Sequence, residues 1–145
     1  MDADDALRNG CEILNAVLQP QGYVFVEGLS GIGSGGKFAS GEYVRNDRRL
    51  ELHFRFSLGL VTYHIGNLTL THEAYMHALL GSNGGNKYPR VSDDPLEAFR
   101  DLAYDLKNYC GDFLAGDGDE FARCVKKAHA REKLTPFERF ANDTE

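Results

Sequence analysis

With 145 residues, 42% of them hydrophobic, the chain has the size of one ordinary domain and enough apolar side chain for a single closed core. Its 22 acidic residues outnumber 16 basic ones and leave a formal charge of −6, which argues against nucleic acid as a partner, since such a footprint would be basic. The start Met1-Asp2-Ala3-Asp4-Asp5 lacks the basic and apolar regions of a signal peptide, and no later stretch approaches the roughly 20 apolar residues of a membrane span. A cytoplasmic location without a membrane partner is therefore expected. Cys11, Cys110 and Cys124 are odd in number, widely spaced and set in apolar helical patterns, so they read as small buried hydrophobes rather than a disulfide framework.

Residues 3–18 place Leu7, Cys11, Leu14, Val17 and Leu18 at helical spacing, and Gln19-Pro20-Gln21-Gly22 ends the pattern, which predicts a first amphipathic helix. Tyr23-Val24-Phe25-Val26 is β-branched and aromatic and predicts a short strand, followed by a glycine-rich loop over 28–36. A second strand over 37–45 needs a bulge near Ser40-Gly41 to bring Phe38 and Tyr43 to one face. Alternation from Arg49 to Gly66 reads as a β-hairpin. A two-residue turn at Leu58-Gly59 would pair Phe56 with Val61, Phe54 with Tyr63 and Leu52 with Ile65 on a core face. On the opposite face Arg55 would meet Thr62 and His53 would meet His64. Strands joined by such local connections point to an antiparallel meander.

After Asn67 the period changes. Thr71 can cap a helix carrying Ala74, Tyr75, Ala78 and Leu79, stopped by Gly81, and a Gly/Asn loop covers 81–91. Asp94-Pro95-Leu96-Glu97 has the cap, the first-turn proline and the glutamate of a helix start. It opens what should be the longest helix, with an apolar stripe from Leu96 to Leu114 and an end at Gly116. A further helix carries Phe121, Cys124, Val125 and Ala128, and Thr135-Pro136-Phe137-Glu138 repeats the start signature for a short terminal one. The expected fold is α+β: an N-terminal helix, a four-stranded antiparallel β-meander, then three to four helices packed on one face of the sheet, in one domain over 1–145.

Gly31 to Lys37 has the phosphate-loop spacing, yet Phe38 replaces the hydroxyl residue that holds magnesium, and a strand rather than a helix follows. His72 and His77 flank a glutamate but are five residues apart, about 140° around a helix, so they cannot share a zinc ion and read as surface histidines. Asp117-Gly118-Asp119-Glu120 reads as a turn and helix cap, without the ligand spacing of a calcium loop. The clusters Arg45-Arg48-Arg49 and Arg123 to Lys133 read as solvated basic faces. The constellation with chemical potential is His53 and His64, with Glu51, Arg55, Thr62 and Arg45 nearby on the non-core face. Imidazoles and a carboxylate can hold a transition metal, and the arginines can hold an anion or an acidic peptide.

The phrases Gly36-Lys37-Phe38-Ala39-Ser40-Gly41-Glu42-Tyr43 and Leu58-Gly59-Leu60-Val61-Thr62-Tyr63-His64, within the order helix, meander, helices, resemble small bacterial α+β domains of unknown function. In architecture the chain is also similar to the α+β immunity proteins of bacterial toxin systems, and in size and charge to acidic secretion chaperones. The resemblance carries no functional residue over. With no complete catalytic constellation, the expectation is a non-enzymatic cytoplasmic protein-binding domain, immunity- or chaperone-like, without a cofactor. Its partner would be another protein, or a second copy in a homodimer. The alternative is a small-ligand or metal-binding protein, with or without catalysis, using the His53/His64 face.

Overall fold

The computed structural model describes residues 2–33, 36–134 and 137. Helix α1 (Ala3–Leu18) begins where Asp2 accepts a hydrogen bond from the Asp5 amide at 2.9 Å. That bond, and Lys37 after it, hold the Asp2 carboxyl below its ordinary value. The helix buries Leu7, Cys11, Leu14 and Leu18 on one face, and Gly22 at φ 89° turns the chain into the sheet.

Five strands follow: β1 (Val24–Gly33), β2 (Gly36–Arg45), β3 (Arg48–Arg55), β4 (Ser57–Ile65) and β5 (Leu68–Thr71). They lie in the order β1-β2-β3-β4-β5 with every neighbour antiparallel. The expected four-stranded meander therefore gains a fifth strand, in which Leu70 pairs with Tyr63 immediately before the chain becomes helical. Much of the segment expected as a glycine loop is strand, since β1 continues to Gly33. The bulge falls in β1 between Glu27 and Ser30 rather than in β2, and the Ser40 hydroxyl fixes it by donating to the Leu29 carbonyl at 2.9 Å. Gly41 is required for packing: a Cβ there would lie 2.3 Å from the Phe25 ring.

The β3–β4 register differs from expectation. The chain reverses at Phe56, an aromatic residue at φ 64°, so Arg55 pairs with Ser57, Leu52 with Val61 and Leu50 with Tyr63. Past Leu52 the pairing is an even step from the Leu58-Gly59 register only because a bulge in β4 sets two residues between Leu58 and Val61 against one between Leu52 and Phe54, which keeps the inner face. Phe56, expected in the core opposite Val61, is the reversal itself and is 79% exposed. His53 and His64 are no longer opposite each other.

The inward residues Tyr43, Leu50, Leu52, Phe54, Val61 and Tyr63 are covered by α1, α2 (His72–Leu80), α3 (Glu97–Tyr109), α4 (Gly111–Ala115) and α5 (Asp119–Glu132). The hydroxyl of Thr71 accepts from the Ala74 amide and caps α2 as expected. Asp94 does not cap the next helix: its Oδ1 accepts from Leu96 N at 2.9 Å in a turn, and regular helix starts only at Glu97, after Leu96 and without a side-chain cap. The expected long helix is two. The chain kinks at Cys110 (φ −103°, ψ 28°) and α4 follows, which leaves α1, at 16 residues, the longest. Arg48 closes the far end of α4: its guanidinium donates to the carbonyls of Asp112 (2.9 Å), Phe113 (2.7 Å) and Gly116 (2.5 Å), where the helix runs out. Expected on a solvated basic face, Arg48 is buried among the helices. Thr135, Pro136 and Glu138 of the expected terminal helix lie outside the described residues, and no described helix is long and apolar enough to cross a membrane.

Helices α1 and α3 meet at Gly10, where an added Cβ would lie 2.4 Å from the Phe99 ring. Alanine favours a helix over glycine by about 1 kcal/mol, but overpacking a filled core costs about 1–3 kcal/mol. Gly10→Ala is therefore expected to lower the urea midpoint with an unchanged m-value, and a raised midpoint would show that the two helices can separate without loss.

Candidate functional site

Alternate residues of the sheet point away from all described helices and form an open face. On it Glu42, Arg49, Glu51, His64 and Thr69 form a connected row across β2 to β5. Arg49 donates to Glu42 at 3.1 Å and lies 4.0 Å from Glu51, the His64 Nε2 contacts the Glu51 carboxylate, and its Nδ1 lies 3.0 Å from the Thr69 hydroxyl. His53 belongs to a separate cluster. Its ring stacks on Phe38 with centroids 5.7 Å apart, and the Arg55 guanidinium lies 5.6 Å from the same Phe38 ring. In the sheet His53 pairs with Ser40, whereas His64 pairs with Arg49 and Thr69.

Of the expected site residues, Glu51 and His64 are thus brought together, while His53 and Arg55 gather around Phe38. Arg45 is on neither cluster. It shares the inward parity of Tyr43, lies over the Tyr23 ring at 5.3 Å and donates to the Gln21 carbonyl. Among the described residues no three of His, Cys, Asp and Glu converge on a point that could hold a metal ion. Between the two clusters is a hollow of about 490 Å³ lined by Val26, Glu42, Glu51, His53, Leu60 and Thr62. Three large apolar residues stand out from this side of the sheet: Val24 is 65% exposed, Val26 49% and Leu60 66%.

The cysteines have little nucleophilic character. Burial is the main cause that pushes the Cys11 thiol up to about 11 and the Cys110 thiol to about 12, and it raises Cys124 as well.

A second polar assembly lies inside the protein. The Tyr63 hydroxyl is 2.7 Å from His72 Nδ1, and His72 Nε2 is 2.9 Å from Asp105 Oδ2. The same carboxylate accepts from the Lys87 amide (2.7 Å) and the Tyr88 amide (2.9 Å). A carboxylate surrounded by donors requires His72 to donate from Nε2, and its Nδ1 shares a hydrogen bond with the Tyr63 hydroxyl. Burial pushes the Tyr63 hydroxyl far up, with Cys110 adding to it. The order hydroxyl, imidazole, carboxylate is that of a catalytic relay, but its members are only 0%, 2% and 0% exposed, so no substrate atom reaches them. Its work is structural. It fastens residues 87–88 to α3, and Tyr88 in turn donates to the Leu58 and Gly59 carbonyls at the hairpin. One turn earlier on α3, Asp101 receives a fork from Arg90 Nε (2.9 Å) and Nη2 (3.0 Å).

Sequence reasoning placed His72 on the surface and passed over Asp101 and Asp105. The available signal was two acids one helical turn apart within the stripe Phe99, Leu102, Leu106. A carboxylate on an apolar face must find donors.

Asp105→Ala strands the Lys87 and Tyr88 amides and the His72 ring N–H, and is expected to cost about 3–5 kcal/mol by urea denaturation. Tyr63→Phe removes one bond to the ring and is expected to cost about 1 kcal/mol. Amide exchange at Lys87 and Tyr88 should accelerate far more in the first variant, and equal behaviour of the two would show that the carboxylate does not hold this segment. In comparisons with protein-family models, curated proteins and solved structures, the chain matches none.

Proposed function

We propose that this chain is a non-enzymatic, cytoplasmic protein-binding domain that engages its partner through the open face of the sheet. The observation that supports it is Val24, Val26 and Leu60 standing exposed beside a row of paired charges on a surface no described helix covers. Apolar residues set among fixed polar ones are what a specific interface offers, with the apolar groups giving affinity and the charges giving register. The sealed relay and the shielded thiols agree with a role that needs no chemistry of its own. The likeness in architecture to immunity proteins, and in size and charge to secretion chaperones, makes an immunity- or chaperone-like task the form this reading takes. Leu60→Asp and Val26→Asp change exposed positions only. Each is expected to leave the melting temperature within a few degrees and to abolish recovery of any partner that the wild-type domain captures stoichiometrically from its native cytoplasm. Capture unaffected by both substitutions would remove the open face from the interface.

A second reading, a small-ligand site, draws support from the hollow beside His53 and Glu51. A ligand present at a hundredfold excess over its dissociation constant stabilises the folded state by about 2.7 kcal/mol. A thermal-shift series with zinc, nickel, phosphate and common carboxylates is expected to be flat. A saturable rise abolished by His53→Ala and Glu51→Gln would put the ligand reading first.

A further inference from the structure

The two edges of the sheet are unequal. At one edge β5 has four residues and passes directly into α2. At the other, β1 has ten residues, Val24–Gly33, nearly all exposed, and no backbone hydrogen bond from a described residue reaches it except through β2. A long free edge is a template for another strand, and proteins ordinarily blunt one with lysine, proline or a covering helix. Strand β1 contains neither lysine nor proline and carries one charge, Glu27. Its bulge interrupts the edge only after Glu27.

The chemistry beside this edge points to a particular occupant. Between α1 and β1 runs a groove of about 670 Å³ whose lining includes Asp4, Arg8, Glu12, Asn15 and Glu27. Arg8 is engaged by Asp5 at 3.1 Å, and no ion pair is made by Asp4, Glu12 or Glu27 among the described residues. Side chains of an added strand alternate in direction, so one set would enter this acidic groove. The other set would lie on the open face beside Val24 and Val26. A second copy of the chain fits poorly, since pairing β1 with itself about a two-fold axis would bring both sets of unpaired carboxylates to one seam.

We propose that β1 receives an extended segment of a partner protein as an additional strand, with basic residues alternating on its α1 side and apolar residues on its open-face side. This rests on the protein-binding reading above and names the chemistry of the bound segment.

Synthetic ten-residue peptides in which valine alternates with lysine, serine or glutamate test it on the intact chain. The lysine peptide is expected to slow amide exchange within Val24–Gly33 and to bind less tightly as salt rises, with the serine peptide weaker and the glutamate peptide not binding. Glu12→Gln combined with Glu27→Gln should weaken the lysine peptide by about three- to tenfold and leave the serine peptide unchanged. The proposal is overturned by an absence of protection in β1 with all peptides, by equal affinity for lysine and glutamate peptides, or by an unaltered affinity in the double variant. Concentration-dependent protection of β1 in the free protein would assign the edge to a second copy instead. Leu60 is three strands from β1, so loss of the natural partner in Leu60→Asp with no peptide effect at β1 defeats the edge proposal and leaves the open-face reading standing.

Discussion

A charge cannot be taken out of water without donors, and the carboxylate of Asp105 is fully buried. Meeting that requirement draws together parts of the chain that are remote in sequence. His72 comes from the first turn of α2, the amides of Lys87 and Tyr88 come from the long connection to α3, and through His72 the hydroxyl of Tyr63 comes from the middle of β4. Tyr88 then carries the linkage back to the hairpin by donating to Leu58 and Gly59. The connection over 81–96 contains no regular helix or strand, yet it is fixed to α3 by Asp105 and again by the Arg90–Asp101 fork. Hydrophobic burial supplies most of the free energy of such a core, while directional bonds of this kind select one arrangement of its elements.

Arg48 plays the corresponding part at the other end of β3. It occupies an inward position next to Leu50, and its guanidinium is solvated by carbonyl oxygens at the end of α4 rather than paired with a carboxylate. Tyr23 donates to one of the same carbonyls at 2.7 Å, and Asp112 accepts from the Gly118 and Phe121 amides where α5 begins. With both ends of the inner face closed in this way, the Asp105 and Arg48 assemblies are taken up by architecture, while the buried Tyr75 hydroxyl has no hydrogen-bond partner among the described residues. What the molecule offers to other molecules is on the outside: an uncovered sheet face with exposed valines and a leucine, and an unshielded edge strand beside an acidic groove. These two surfaces adjoin at Val24 and Val26, so a partner strand on the edge would also extend the open face.

The elements that could be read from local pattern are those whose signals are local. The stripe of α1, its stop at Pro20 and Gly22, the Thr71 cap and the alternation of β3 and β4 all involve residues within a few positions of one another. Other features depended on distant groups. Strand β5 is only Leu-Thr-Leu-Thr, and it counts as a strand because β4 is there to pair with it. The continuous apolar stripe from Leu96 to Leu114 hides both the break at Cys110 and the short α4 after it, whose last carbonyls receive Arg48 from far away in sequence. His72 reads as exposed until Asp105 is placed beside it.

The hairpin marks the boundary between the two kinds of information most sharply. Alternation by itself dictates which residues of β3 and β4 face the core, and Leu50, Leu52, Phe54, Val61 and Tyr63 are all on the expected side. It is silent on register, because sliding two antiparallel strands by an even number of residues leaves every side chain on the same face. Register is chosen by the neighbours: Tyr43 beside Leu50, Leu70 beside Tyr63, and His72 within reach of the Tyr63 hydroxyl. Inside, the change re-pairs Leu52 and Phe54 and leaves Phe56 exposed at the reversal; outside, His53 and His64 part company and Glu51 joins His64. Composition and local pattern therefore establish the class of fold and the identity of its inner face, whereas the grouping of polar residues outside it exists only once the whole sheet and its helices have assembled.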